Sequence, residues 1–111
     1  EYKYFLADTP EKKTQGLLGV EELDTKEGML FLYNKIGNYK FHMRGMKIDL
    51  DFIWIRDNRV VDTASNVKKE AEDSNALVIT DKDFNKVLEV KSGDIKRYNI
   101  KDGDLVEFSQ E

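Results

Sequence analysis

The sequence predicts a mostly β, β-rich α+β fold: a compact antiparallel sheet, a partly closed barrel of about seven short strands with two short helices. Three observations carry this expectation. The stretch Tyr39–Ile55 alternates with period two, so Tyr39, Phe41 and Met43 share one side and Lys40, His42 and Arg44 the other. After Gly45 the alternation resumes, with Ile48, Leu50, Phe52 and Trp54 opposite Asp49, Asp51, Ile53 and Ile55. The remaining apolar runs are short and punctuated by Gly, Asn and Asp, and helix-start chemistry occurs at only two places.

Taken in order, Tyr2-Lys3-Tyr4-Phe5-Leu6 reads as a first strand. The chain enters it without a Met, which leaves room for a removed signal or anchor segment ahead of it and an extracytoplasmic location. Asp8-Thr9-Pro10-Glu11 starts a helix: Asp8 or Thr9 can accept from the first free amides, and Pro10 suits the first helical position. Gly16 limits that helix, and Leu17 and Leu18 anchor the next segment in the core. The run Met29-Leu30-Phe31-Leu32-Tyr33 is a strand. Turn chemistry at Asn34–Asn38 predicts that it forms a hairpin with the Tyr39–Ile55 strand, whose far end, apolar on both sides, is central in the sheet. Asp51 is then half buried and needs a partner.

Asp57-Asn58 joins this strand to Arg59–Thr63 in the clearest hairpin of the sequence. Ala64–Asn75 loses periodicity and reads as an exposed loop with one helical turn. Leu77–Thr80 and Lys86–Val90 are expected strands, Ser92-Gly93-Asp94-Ile95 caps a short helix ended by a left-handed Asn99, and Asp104–Phe108 closes the sheet.

The chain has 111 residues and is expected to be one domain over 1–111, large enough to bury a core without disulfides. It has no Cys, so disulfides, thiol catalysis and thiolate metal sites are excluded. A net charge of −4 with interspersed signs argues against a nucleic-acid partner. No apolar run approaches the roughly 20 residues of a membrane-spanning helix.

No cofactor or metal is expected. Asp81-Lys82-Asp83-Phe84-Asn85 opens like a calcium loop but puts Lys86 where a Gly is needed and Ser92 where a Glu should stand. His42-Met43-x-x-Met46 offers soft ligands for copper, but strand alternation points His42 and Met43 to opposite faces. The Ser and Thr residues lie mostly in turns or caps and none sits in a G-x-S-x-G elbow, and the Gly residues are scattered singly, so neither a nucleophile elbow nor a phosphate loop is present. Tyr33, Tyr39, Trp54 and Phe84 could build an aromatic platform or serve as core.

His42, Arg44, Asp49 and Asp51 form the most coherent polar set. If the segments on either side of Gly45 pair, an imidazole, a guanidinium and two carboxylates converge. Such a cluster suits anion binding or acid–base chemistry; it equally suits Arg44–Asp51 or His42–Asp49 pairs that satisfy charge beside a core.

Several motifs, in order, resemble the family known as domain of unknown function 192. They are Ala7-Asp8-Thr9-Pro10, Gly16-Leu17, Gly28-Met29-Leu30-Phe31, Phe41-His42-Met43-Arg44, Ile48–Ile53, Asp57-Asn58-Arg59-Val60 and Val87-Leu88-Glu89…Gly93…Asn99–Asp104. Three departures stand out: His42 replaces the usual Trp, Ile48-Asp49 replaces a stretch that usually includes Pro, and Val67–Asn85 lacks the family's Pro-rich character. The resemblance implies a compact β-rich fold and frequent secretion or lipid anchoring, and implies no established activity.

The expected function is a non-enzymatic binding module. Its face around His42, Arg44, Asp49, Asp51 and Glu89 would accept a small polar ligand, such as a saccharide, or a partner protein. One alternative is a hydrolase-like enzyme with Asp51 or Glu89 as general base and His42 as acid. The other is an accessory scaffold acting through an exposed apolar patch.

Overall fold

The segment Leu50-Asp51-Phe52-Ile53-Trp54-Ile55 is apolar on both faces except for one carboxylate, and such a segment settles inside a sheet covered on both sides. In the computed structural model, which describes residues 2–109, it does. The elements are β1 (Lys3–Ala7), α1 (Pro10–Gln15), β2 (Glu27–Gly37), β3 (Leu50–Arg56), β4 (Arg59–Val67), β5 (Phe84–Lys91) and α2 (Asp94–Arg97). The strands form one sheet in the order β1-β2-β5-β3-β4. β1 runs parallel to β2 through the crossover that holds α1, and the other pairings are antiparallel. The Thr9 hydroxyl accepts from the Lys12 amide at 3.2 Å, Pro10 occupies the first turn, and Gly16 ends α1 at φ 49°.

Alternation divides the core in two. On one face Leu50, Phe52 and Trp54 of β3 pack with Phe31 of β2, Phe84 and Val87 of β5, and Leu17. Ile53 and Ile55 point the other way, toward Leu30, Val60, Leu88, Val90 and the α2 residue Ile95. The β3–β4 hairpin turns at Asp57, whose φ of 56° is the left-handed conformation that Asp and Asn tolerate, and Asn99 takes a similar one after α2 at φ 53°.

Four expectations are corrected. The hairpin between β2 and the following strand does not form: β2 continues through Asn34–Gly37, and its partners are β1 and β5. Tyr39–Arg44 is not a ladder strand. It lies extended over the first core, touching other segments by single bridges, Phe41 to Val78 and Arg44 to Glu70. Its period-two pattern comes from Phe41 and Met43 plugging that core, with the Phe41 ring edge-on to Phe31 and Phe52 at centroid distances of 5.3 and 5.8 Å. Leu77–Thr80 and Asp104–Phe108 likewise shrink to the single bridges at Val78 and Leu105. The sheet therefore has five strands and stays open, with β1 and β4 at its edges, in place of a partly closed barrel of about seven.

Candidate functional site

Glu89 sits in β5 between Met29 of β2 and Phe52 of β3. Alternation aims it at the first core, and only 5% of the residue meets solvent. Among the described residues, no side chain or amide hydrogen-bonds its carboxyl, and no cation pairs with it. Burial is the sole cause acting on its titration and pushes it up to about 8, so at neutral pH the group is mostly the neutral acid.

The carboxyl lines a pocket of about 400 Å³ built from the C-terminal end of α1, β2, β5 and the covering segment Tyr39–Met46. Tyr33 and Tyr39 stack along one wall, centroids 3.9 Å apart and planes 10° from parallel. The Lys13 ammonium stands 4.2 Å from the centre of the Tyr33 ring, and the Tyr39 hydroxyl donates to the Lys35 carbonyl at 2.7 Å. Burial holds the Tyr33 phenol above its ordinary range, with neighbouring Glu89 and Tyr39 acting in the same sense. Phe31, Phe41, Met43 and Leu17 supply apolar lining, while Lys40, His42 and Arg44 stand at the more exposed edge.

His42 is exposed, and its Nδ1 accepts from the Arg44 amide at 3.2 Å, which assigns the proton of the neutral ring to Nε2. Partial burial, then the Arg44 charge, lower its pKa, so the ring is neutral at pH 7. The Arg44 guanidinium makes one long bond, 3.4 Å, to the Ser74 carbonyl.

The two aspartates lie elsewhere. Asp49 accepts from the Lys69 amide at 2.9 Å and pairs with Lys68 at 3.3 Å; chiefly that amide bond lowers its pKa, opposed by desolvation and helped by Lys68. It borders a separate, open groove with Glu21, Glu22 and Lys47. Asp51 is fully buried on the other face of the sheet, where its carboxylate accepts from the amides of Asn66 (2.8 Å), Gly93 (3.1 Å) and Ile95 (2.9 Å). It thereby caps α2, whose own N-cap, Gly93, has no side chain to offer, and Ser92 does not fill that role. Neither an Arg44–Asp51 nor a His42–Asp49 pair exists among the described residues.

The pocket thus unites His42, Arg44 and Glu89, and it adds Lys13 and Lys40, which carried no signal in the sequence. Of the aromatic platform, Tyr33 and Tyr39 reach the pocket, whereas Trp54 and Phe84 are core. Among the described residues no group of three or more His, Asp or Glu could hold a metal ion, and no helix is long and apolar enough to cross a membrane.

A family profile, domain of unknown function 192, described as an uncharacterised ACR, matches residues 1–108. The crystal structure of a protein of unknown function from Novosphingobium aromaticivorans DSM 12444 is similar at a TM-score of 0.88 and 33% identity, over 96% of this chain and 75% of that one. A crystal structure from Sinorhizobium meliloti 1021, of a protein put forward as a transcription regulator, is similar at a TM-score of 0.88 and 25% identity, over 96% of this chain and 81% of that one. No curated protein matches the chain.

Proposed function

The chain belongs to the domain of unknown function 192 family, whose description assigns no reaction, and we propose that it is a non-enzymatic binding module that takes a small polar ligand in the pocket above Glu89. The observation that carries this reading is the Glu89 carboxyl itself, 5% exposed, without a hydrogen-bond or ion-pair partner among the described residues and facing an open pocket. A carboxyl stripped of most of its water and given no protein partner gains when a ligand hydrogen-bonds it. The stacked tyrosines add a flat apolar wall of the kind that supports a sugar ring or another planar group.

Catalysis fits the pocket less well. Among the described residues Glu89 is the one carboxylate lining it, since Asp51 is saturated by three amides on the far face of the sheet, and a glycosidase-type pair needs two carboxylates across one cleft. The test is an NMR titration of labelled protein against sugars, nucleotides, short peptides and divalent metals. Localised shifts at His42, Arg44 and Tyr33 are the expected result, weakened at least tenfold in the His42→Ala, Arg44→Ala double variant. Binding that the double variant leaves unchanged would sink the assignment.

A further inference from the structure

The polar groups of the pocket are sorted by depth. Glu89, its one acid, is at the bottom with 5% exposure, whereas the cationic lining residues Lys13, Lys40 and Arg44 are half-buried or exposed. Among the described residues no lysine or arginine forms an ion pair with Glu89, so the acid and the cations stand apart in the pocket. The Tyr33–Tyr39 stack, with Phe41 edge-on to Tyr33, lines the same pocket.

We infer that the ligand is a zwitterion, a small molecule whose protonated amine reaches Glu89 and whose anionic group stays at the mouth with Lys40, Arg44 and Lys13. The inference rests on the binding-module reading and narrows it to one ligand class. An anionic group at depth would find no cation and only the single O–H of the Glu89 acid to compensate its lost water, which desolvation makes unfavourable. A simple cation would enter past three positive side chains. A neutral polyol would satisfy Glu89 and leave the cations unused. A charge at each end matches both levels, and charge-assisted bonds are about twice as strong as neutral ones.

An ammonium seated at Glu89 favours the ionised carboxylate, so binding near pH 7 releases a proton to solvent. The other titratable or charged groups facing the site are Lys13 on α1, Tyr33 on β2, and Tyr39, Lys40, His42 and Arg44 on the covering segment. Of these, His42 is neutral in the free protein and a nearby ammonium keeps it so, while burial holds the Tyr33 phenol above its ordinary range.

The experiment is calorimetry with ω-amino acids of graded length, glycine, β-alanine, γ-aminobutyrate and ε-aminocaproate, against caproate, hexylamine and glucose, each in two buffers of different ionisation enthalpy. One of the amino acids is expected to bind on the order of tenfold more tightly than every one-ended probe, with net proton release. Glu89→Gln, which keeps the side-chain shape, should erase both the preference and the proton release; its thermal melt confirms that it folds. Glucose binding with shifts at His42 and Arg44, but without a zwitterion preference, would overturn the ligand class and leave the module standing. Equal affinity for caproate and ε-aminocaproate also overturns it. Silence of every probe here overturns the zwitterion, and only silence of the wider NMR panel as well removes the binding module.

Discussion

Asp51 and Glu89 occupy neighbouring strands, one pairing step apart: Asp51 stands opposite Val90, and Phe52 opposite Glu89. Both are shielded from water, and they project from opposite faces of the sheet. The face beneath Asp51 is saturated. Three amides serve that carboxylate, and nearby Asp94, also fully buried, accepts from the Tyr2 hydroxyl at 3.0 Å, the Thr25 hydroxyl at 3.2 Å, the Lys26 amide at 3.1 Å and the Arg97 guanidinium. The Glu89 face offers no partner among the described residues. Burial alone therefore does not mark a site. A buried acid whose lone pairs are all used is a structural joint; one whose lone pairs are idle beside an open pocket is the group on which the proposed binding rests.

The sharpest break of this contrast is Asp51→Ala. It strands the amides of Asn66, Gly93 and Ile95 and removes the cap of α2, so urea denaturation should show a loss of about 4 kcal/mol. A loss under about 1 kcal/mol would mean that the two acids are energetically alike. The opposite sign is expected at Glu89. Its pKa rises from 4.5 to about 8 on folding, so folding favours the protonated form. Stability from this group is fully present below about pH 4.5, declines as the unfolded chain ionises, and is lost once pH passes 8. Glu89→Gln should thus stabilise the protein by about 2 kcal/mol at pH 8, allowing for relaxation and water entry, with the gain vanishing toward pH 4.5. A gain independent of pH would break the contrast. The smallest effect is expected from Thr9→Ala, which removes the α1 cap and belongs to neither acid: about 1 kcal/mol, the same at both pH values, with ligand shifts unchanged.

Much of the sheet was legible in the chain. Leu50–Ile55 reads as a two-sided strand because apolar groups alternate with apolar groups, and Asp57-Asn58 reads as a turn because the chemistry is local. Tyr39–Arg44 shows the boundary of that method. Period two reports which side chains go inward, not what the backbone pairs with, so a covering segment and a ladder strand look the same. The β1–β2 and β2–β5 pairings join segments far apart in sequence, where no local pattern speaks.

The candidate site divides on the same grounds. His42, Arg44 and Glu89 could be picked out as polar residues on apolar segments. Their separation from Asp49 and Asp51 depended on partners that leave no trace in side-chain identity, since these aspartates are held largely by backbone amides. Lys13 and Lys40 are ordinary surface lysines in the sequence, and only the crossover of α1 and the path of the covering segment bring them to one pocket.

The strand order also has a consequence for the chain as it is made. β3 gains β4 through a two-residue turn, but its other neighbour, β5, emerges from the ribosome only after Lys68–Asp83. During that interval the uncharged stretch Phe52-Ile53-Trp54-Ile55 is an open edge, able to template pairing with another nascent chain. Asp51 and Arg56 flank it, charged and still in water, in the position of gatekeepers against aggregation. The carboxylate that locks α2 in the finished fold first keeps that edge soluble.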